Sequence, residues 1–158
     1  MPDTAFSIDR RDLSFNLWEY LGLEKILASE RFADFDRQSI EIMLEEGYKL
    51  AAESFAPVDA EGDRAGCVFE NGHVRIPACY HEPYRQFCDN GWLGLTASPD
   101  YGGFGAPMLV YSALTETAVG ACMPLVMYLG LTGDAANLIA AFCDDATREI
   151  YLRKMYTG

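Results

Sequence analysis

The sequence predicts an all-α fold, a helical bundle of five or six helices, and three features carry that prediction. Apolar residues recur at three-and-four spacing through most of the chain. Prolines and aspartates stand where helices would begin. The strand signal is confined to residues 67–76, where the turn pair Asn71-Gly72 lies between Val68-Phe69 and Val74-Ile76.

Taken in order, Leu13, Leu17, Tyr20 and Leu21 share one face of a short docking helix. Asp34 and Asp36 can offer carboxylates to the free amides of the next helix, whose inner face is Ile40, Met43, Leu44, Tyr48 and Ala51. That helix is expected to reach Phe55 and stop at Pro57, with a polar stretch containing Gly62 and Gly66 beyond it. Asn71-Gly72 then suits a small hairpin, with a solvated loop as the alternative. A further helix is expected from Pro83, since a missing amide does no harm in a first turn. It carries Tyr84, Phe87 and Cys88 on one side and closes at Asn90-Gly91. Trp92, Leu93 and Leu95 turn the chain back onto the core. Pro107 opens a helix with Val110, Leu114 and Ala118 at helical spacing, and another follows Pro124. The last is capped by Asp144 or Asp145 and turns Ile150, Tyr151 and Met155 inward. No repeat or low-complexity linker divides the chain, so one domain is expected.

Half of the 158 residues are apolar, enough for a real core. The formal charge of −12 would repel phosphate backbones and leaves no basic stripe for nucleic acid. Five cysteines, Cys67, Cys79, Cys88, Cys122 and Cys143, are odd in number and widely spaced, and the amino end is polar and charged through Asp12. A reduced, cytoplasmic setting fits, with the cysteines as small buried apolar residues rather than metal ligands. The apolar run Val119–Cys143 is interrupted by Pro124, Asp134 and Asn137, so interior helices are expected rather than a membrane span.

Gly102-Gly103-Phe104-Gly105 needs weighing as a phosphate cradle. A dinucleotide fingerprint needs a preceding strand and a later ribose-binding acid, and a P-loop needs lysine beside Ser or Thr; neither context is present. The loop reads as a tight turn of Tyr101, Gly102, Gly103 and Gly105, pinned by Tyr101 and Phe104, with the lining of a substrate entrance as the functional alternative. Among the acids, Glu45, Glu46 and Glu53 read as a solvated face. Glu116, between Thr115 and Thr117 in an apolar helix, needs a basic partner or an upward pKa shift. His73 and His81 read as surface residues.

Gly91-Trp92-Leu93-Gly94-Leu95 and then Ser98-Pro99-Asp100-Tyr101-Gly102-Gly103-Phe104-Gly105-Ala106-Pro107 resemble the amino-terminal helical domain of the acyl-CoA dehydrogenase family. Met127-Tyr128-Leu129-Gly130-Leu131-Thr132 and Tyr151-Leu152-Arg153-Lys154-Met155 follow in the family's order. Phe6 through Leu23 and Gly66 through Gly72 are similar to the extended branch that includes 3-methylmercaptopropionyl-CoA dehydrogenases. The resemblance implies one such domain over residues 1–158, with an extension helix in 1–30 and the bundle in 34–158.

It implies FAD-dependent α,β-dehydrogenation of an acyl-CoA thioester by the complete enzyme, in which a β-domain and a carboxy-terminal helical domain hold the flavin and the catalytic glutamate. By that resemblance the chain stops before the β-domain, an incomplete chain with no catalytic residue, no FAD of its own and a tendency to self-associate. Its contribution would be part of the acyl pocket wall: Val126, Met127, Gly130, Leu131 and Asp134. Asp134 departs from the pattern, because the extended branch tends to carry His-Gly where this chain has Gly133-Asp134. The rival expectation is a stand-alone helical protein–protein interaction module that keeps the fold and binds a partner.

Overall fold

Asp36 starts the helix against which much of the chain packs. Its carboxylate accepts from the Ser39 amide at 2.7 Å, and its own amide donates to the Ser39 hydroxyl at 2.9 Å, so two amides left free by a helix start are both satisfied. Helix α3 (Arg37–Leu50) follows; in our numbering α1 (Arg10–Phe15) and α2 (Leu23–Leu27) precede it. The computed structural model describes residues 6–158, so the start of the amino-terminal extension lies outside the described residues. Helices dominate throughout, as the spacing predicts.

Pro57 does not end the second long helix. The chain passes through a wide turn at Ala51–Phe55 into α4 (Ala56–Ala65). A proline inside a regular helix clashes with the carbonyl four residues back. In the wide turn the Ala56 amide reaches back five residues to the Ala51 carbonyl, and the looser winding makes room for the ring. Gly62, expected in a loop, is therefore helical and buried. A Cβ there would lie 2.1 Å from the Tyr80 hydroxyl oxygen.

The hairpin forms. Strand β1 (Val68–Glu70) pairs antiparallel with β2 (His73–Arg75), Phe69 opposite Val74. Asn71 (φ +53°) and Gly72 (φ +79°) are both left-handed, as the tight two-residue turn requires. Every residue of both strands is exposed, so the hairpin is an appendage to the bundle.

At the amino end, Asp9 caps α1 by accepting from the Arg11 and Asp12 amides, both at 3.0 Å. The expected single face of Leu13, Leu17, Tyr20 and Leu21 is not the one that forms: Leu17 and Trp18 are buried, whereas Tyr20 and Leu21 are exposed. A second wide turn at Asn16–Tyr20, closed by the Leu21 amide on the Asn16 carbonyl at 2.9 Å, rotates the succeeding residues out of 3.6-residue register. The extension is held to α3 by the Arg10–Glu45 ion pair, with the Arg10 guanidinium 4.9 Å from the centre of the Tyr48 ring.

Helix α5 (His81–Asp89) begins two residues before Pro83 and ends at Gly91 in left-handed geometry. Helix α6 (Met108–Phe142) contains both helices expected after Pro107 and Pro124, separated by a break at Cys122 (φ −160°, ψ 85°). Pro124 thus falls in the first turn of the second limb, where it needs no donor. Helix α7 (Asp145–Thr157) is capped by Asp144, which accepts from the Thr147 amide at 2.8 Å. Its inward residues are Leu152 and Tyr156 with Met155 half-buried, while Ile150 and Tyr151 are exposed, contrary to expectation. Apolar residues lie on several sides of α7. Docking chooses among them, through the Tyr156 hydroxyl donating to Asn137 Oδ1 at 3.1 Å and Arg153 donating to the Asp100 carbonyl at 3.0 Å.

The largest buried cluster joins Ala51, Phe55, Tyr80, Leu125 and Leu129, tying the wide turn of the α3–α4 helix to the second limb of α6. A second gathers Leu23, Ile40, Leu95 and Val110, and a third gathers Ala97, Ala136, Leu152 and Tyr156. Each fully buried aliphatic side chain contributes roughly 1.5–3 kcal/mol.

Candidate functional site

The second limb of α6 holds all five residues of the expected acyl wall, and helical geometry divides them. At 100° per residue, Val126, Gly130 and Gly133 share one side. They line an apolar cavity of about 60 Å³. Across it stand Phe55, Phe87, Leu93 and Leu95, and the first limb adds Leu114 and Ala118. Met127, Leu131 and Asp134 occupy the adjoining face and are exposed. The structure therefore brings Val126 and Gly130 together and leaves the other three outside.

Sequence reasoning missed most of this lining. Its signal was present in α6, where Leu114 and Ala118, then Val126, Leu129, Gly130 and Gly133, recur at three-and-four spacing. The aromatic side of the cavity comes from two other helices, which spacing within one segment does not reveal.

The exposed face is itself largely apolar. Met123, Met127, Leu131, Leu138 and Phe142 run along it at intervals of one or two helical turns, with Asp134 between Leu131 and Leu138, and Phe142 is 83% exposed. By length and composition α6 could cross a bilayer, its best window having a mean hydropathy of 1.4. The break at Cys122 and the exposed Asp134 and Asn137 are each unfavourable in hydrocarbon.

The glycine loop is closed to phosphate. Every backbone amide from Tyr101 to Ala106 donates to a carbonyl of the chain, including Phe104 to Gly94 at 3.0 Å, Gly105 to Ala97 at 2.9 Å and Ala106 to Leu95 at 2.9 Å. Gly102 (φ +87°) and Gly105 (φ +71°) need positive φ, and a Cβ on Gly103 would lie 2.3 Å from the Ala97 carbonyl oxygen. Tyr101 packs beside Leu152 and Tyr156. Phe104 remains half-exposed, its ring against Gly91.

Acids and thiols are spread across the described residues. Glu116 is exposed and makes no ion pair among them, so the expected basic partner is missing; it lines a groove with Asp9 and Asp12. The buried neighbour is Thr117, whose hydroxyl donates to the Ala113 carbonyl at 2.9 Å. Glu45 and Glu46 pair with Arg10 and Lys49. His73 and His81 are exposed. Burial pushes the Tyr80 phenol and the Cys122 thiol up from their ordinary values. Cys67 departs from the buried expectation: it is exposed, its sulfur 3.1 Å from the Tyr128 hydroxyl. No cluster of three metal-binding side chains occurs among the described residues.

Neither the apolar cavity nor the glycine loop fits a flavin. The cavity is far smaller than an isoalloxazine ring system and carries no charged side chain, and the glycine loop has no free amide for a pyrophosphate.

Residues 38–158 match the family described as acyl-CoA dehydrogenase, N-terminal domain, a stretch that opens at the start of α3. The chain is 31% identical over 148 residues to a 3-methylmercaptopropionyl-CoA dehydrogenase of Ruegeria pomeroyi, covering 94% of this chain and 25% of that protein. It is 29% identical over 163 residues to a butyryl-CoA dehydrogenase of Syntrophomonas wolfei, covering 100% and 26%. A broad-specificity linear acyl-CoA dehydrogenase of Mycobacterium tuberculosis is 34% identical over 130 residues, covering 81% and 21%. The chain thus spans about a quarter of the length of these relatives.

Proposed function

The chain belongs to the acyl-CoA dehydrogenase family through that family's amino-terminal domain, and from this premise we propose that it serves as the amino-terminal helical part of an FAD-dependent enzyme acting on an acyl-CoA thioester. The reaction removes hydrogen across the α and β carbons. It needs a carboxylate base, hydrogen bonds at the thioester carbonyl and a bound flavin. In this reading those groups belong to a β-domain and a carboxy-terminal helical domain, and the chain by itself is inactive.

The contribution of this chain is water exclusion and position. One observation carries the reading: the second limb of α6 is apolar on two sides, one closing the cavity at Val126 and Gly130 and the other exposed from Met123 to Phe142. The first suits an acyl group, where each buried methylene contributes roughly 0.8 kcal/mol. The second, with Met127 and Leu131, suits contact with the other domains or with the substrate they hold. Asp134, exposed, would face polar parts of that assembly. A reduced, cytoplasmic setting belongs to the same reading and is supported by five unpaired cysteines.

The purified chain is expected to show no flavin absorbance near about 450 nm and no acyl-CoA oxidation with an added electron acceptor. Joined to the two further domains, it is expected to show both. Turnover by the chain alone would end this reading.

The exposed stripe also favours a second reading, a helical interaction module that works by binding a partner. Light scattering and pull-down separate the two: a defined hetero-complex supports the module, and self-association through the stripe supports a domain built to dock.

A further inference from the structure

The amino-terminal extension and the first limb of α6 flank a groove that the bundle leaves open. Its volume is about 480 Å³, within the roughly 300–1,000 Å³ of sites that take a ligand. One wall presents Leu13, Leu17 and Leu21 at four-residue steps, and the other presents Leu109, Ala113 and Thr117 at the same steps. Leu17, Ala113 and Thr117 are buried and form the floor. The rims are acidic, with Asp9 and Asp12 on the extension side and Glu116 on the α6 side, all exposed. No lysine, arginine or histidine lines the groove, and none of the three acids makes an ion pair among the described residues. Arg10, on the same helix as Asp12, pairs with Glu45 of α3 instead.

The wide turn at Asn16–Tyr20 shapes one end. It leaves Tyr20 and Leu21 exposed, and both line the groove. Single wide turns inside helices recur at functional sites, and this one spreads apolar surface along the open side of the trough.

We propose that the groove docks a basic amphipathic helix of a partner protein. Two helical faces of matching spacing form a trough that a third helix completes, and residues 9–21 give it a length of about three turns. The partner's apolar stripe covers the floor, and its lysines or arginines reach the two acidic rims. Acids on both sides repel a second copy of this face and an anionic lipid surface, and a small polycation would leave the floor uncovered. The groove lies on the other limb of α6 from the exposed stripe of 123–142, so the inference does not rest on the dehydrogenase reading.

The test uses the full chain and two designed peptides of 14 residues, each with leucines along one helical face and either lysines or glutamates flanking them. By methyl NMR the lysine peptide should shift Ile8, Leu13, Leu21 and Leu109. By calorimetry at low salt it should bind at least tenfold more tightly than the glutamate peptide, a difference that shrinks severalfold at about 0.3 M salt. Asp12→Asn with Glu116→Gln should weaken the lysine peptide about tenfold while helical circular dichroism is kept, and Leu21→Ser should weaken it about threefold. Glu149→Gln, an exposed acid on α7, should leave binding within about twofold. If the double variant does not fold, the salt dependence and the peptide pair on the unaltered chain decide the matter.

Equal binding of the two peptides, or shifts confined to Met127 and Leu131, would overturn the proposal. So would spermidine shifting the groove residues where the lysine peptide does not, or light scattering that shows two copies joined through Leu21 and Glu116. Finally, the lysine peptide should still bind once the two further domains are joined to the chain. Loss of binding there would assign the groove to the enzyme's own domains, whereas the dehydrogenase reading is judged separately by the flavin assay.

Discussion

The two faces of the second limb of α6 are made of similar residues and have opposite surroundings. Leu125 and Leu129 are buried under the wide turn of the α3–α4 helix, whereas Leu131 and Leu138, on the same limb, are 63% and 59% exposed. Leucine content does not distinguish the faces; the neighbours supplied by distant parts of the chain do. The buried face therefore contributes stability, and the exposed face adds little to it.

The largest expected effect lies on the buried face. Leu125→Ala should destabilise the chain by about 2–5 kcal/mol in urea unfolding, and Leu131→Ala should stay within about 0.5 kcal/mol. Equal losses would mean that the two faces are not distinct.

Next comes the contact that anchors α4 over Tyr80. Gly62→Ala sets a methyl group against the phenol and should cost about 1–3 kcal/mol by overpacking. Burial raises the Tyr80 pKa in the folded chain, so its contribution is complete below the ordinary value of 10.0 and is lost as the pH climbs through the higher folded value. Alkaline unfolding monitored by tyrosinate absorbance should show one phenol that ionises only as the helices melt.

Smaller effects belong to the helix caps. Hydrogen bonds from the Ser39 and Thr147 amides hold Asp36 and Asp144 below the ordinary aspartate value of 3.8. The unfolded chain binds those protons first, so the cap contribution is present above that value and fades as the pH falls through the lower folded ones. Asp36→Asn and Asp144→Asn should flatten the acid limb of stability against pH. An unchanged acid limb would remove the caps from the account.

The smallest change in folding is expected on the exposed stripe. Leu131→Ser with Phe142→Ser should leave the unfolding midpoint nearly unaltered and lower the apparent mass in light scattering. A large drop in stability with no change in mass would show that the stripe is already packed within one chain.

Much of this architecture was readable in advance because it depends on short-range chemistry. Asp36 and Asp144 cap because an aspartate beside free amides needs only its next three residues. Asn71-Gly72 turns because both residues accept positive φ. Pro57 misled, since proline is a reliable stop only for a regular helix, and the wide turn that accommodates it is set by packing around Phe55. The same kind of turn at Asn16–Tyr20 moved Tyr20 and Leu21 outward. The acyl wall was half legible for a related reason: Val126 and Gly130 are separated from Met127 and Leu131 by a single 100° step, and nothing local says which side meets the core.

By itself the sequence determined the helical class and the family, and it narrowed two caps to neighbouring aspartates and residues 67–76 to a hairpin or a loop, all of which rest on residue type and near-neighbour spacing. Tertiary structure alone decided that the helix runs through Pro57, that Leu152 and Tyr156 rather than Ile150 and Tyr151 turn inward, and that Gly130 and Gly133 open onto a cavity. The physical reason is shared by all three. Each outcome depends on side chains delivered from elsewhere in the chain, and a rotation of one residue step exchanges a buried face for an exposed one.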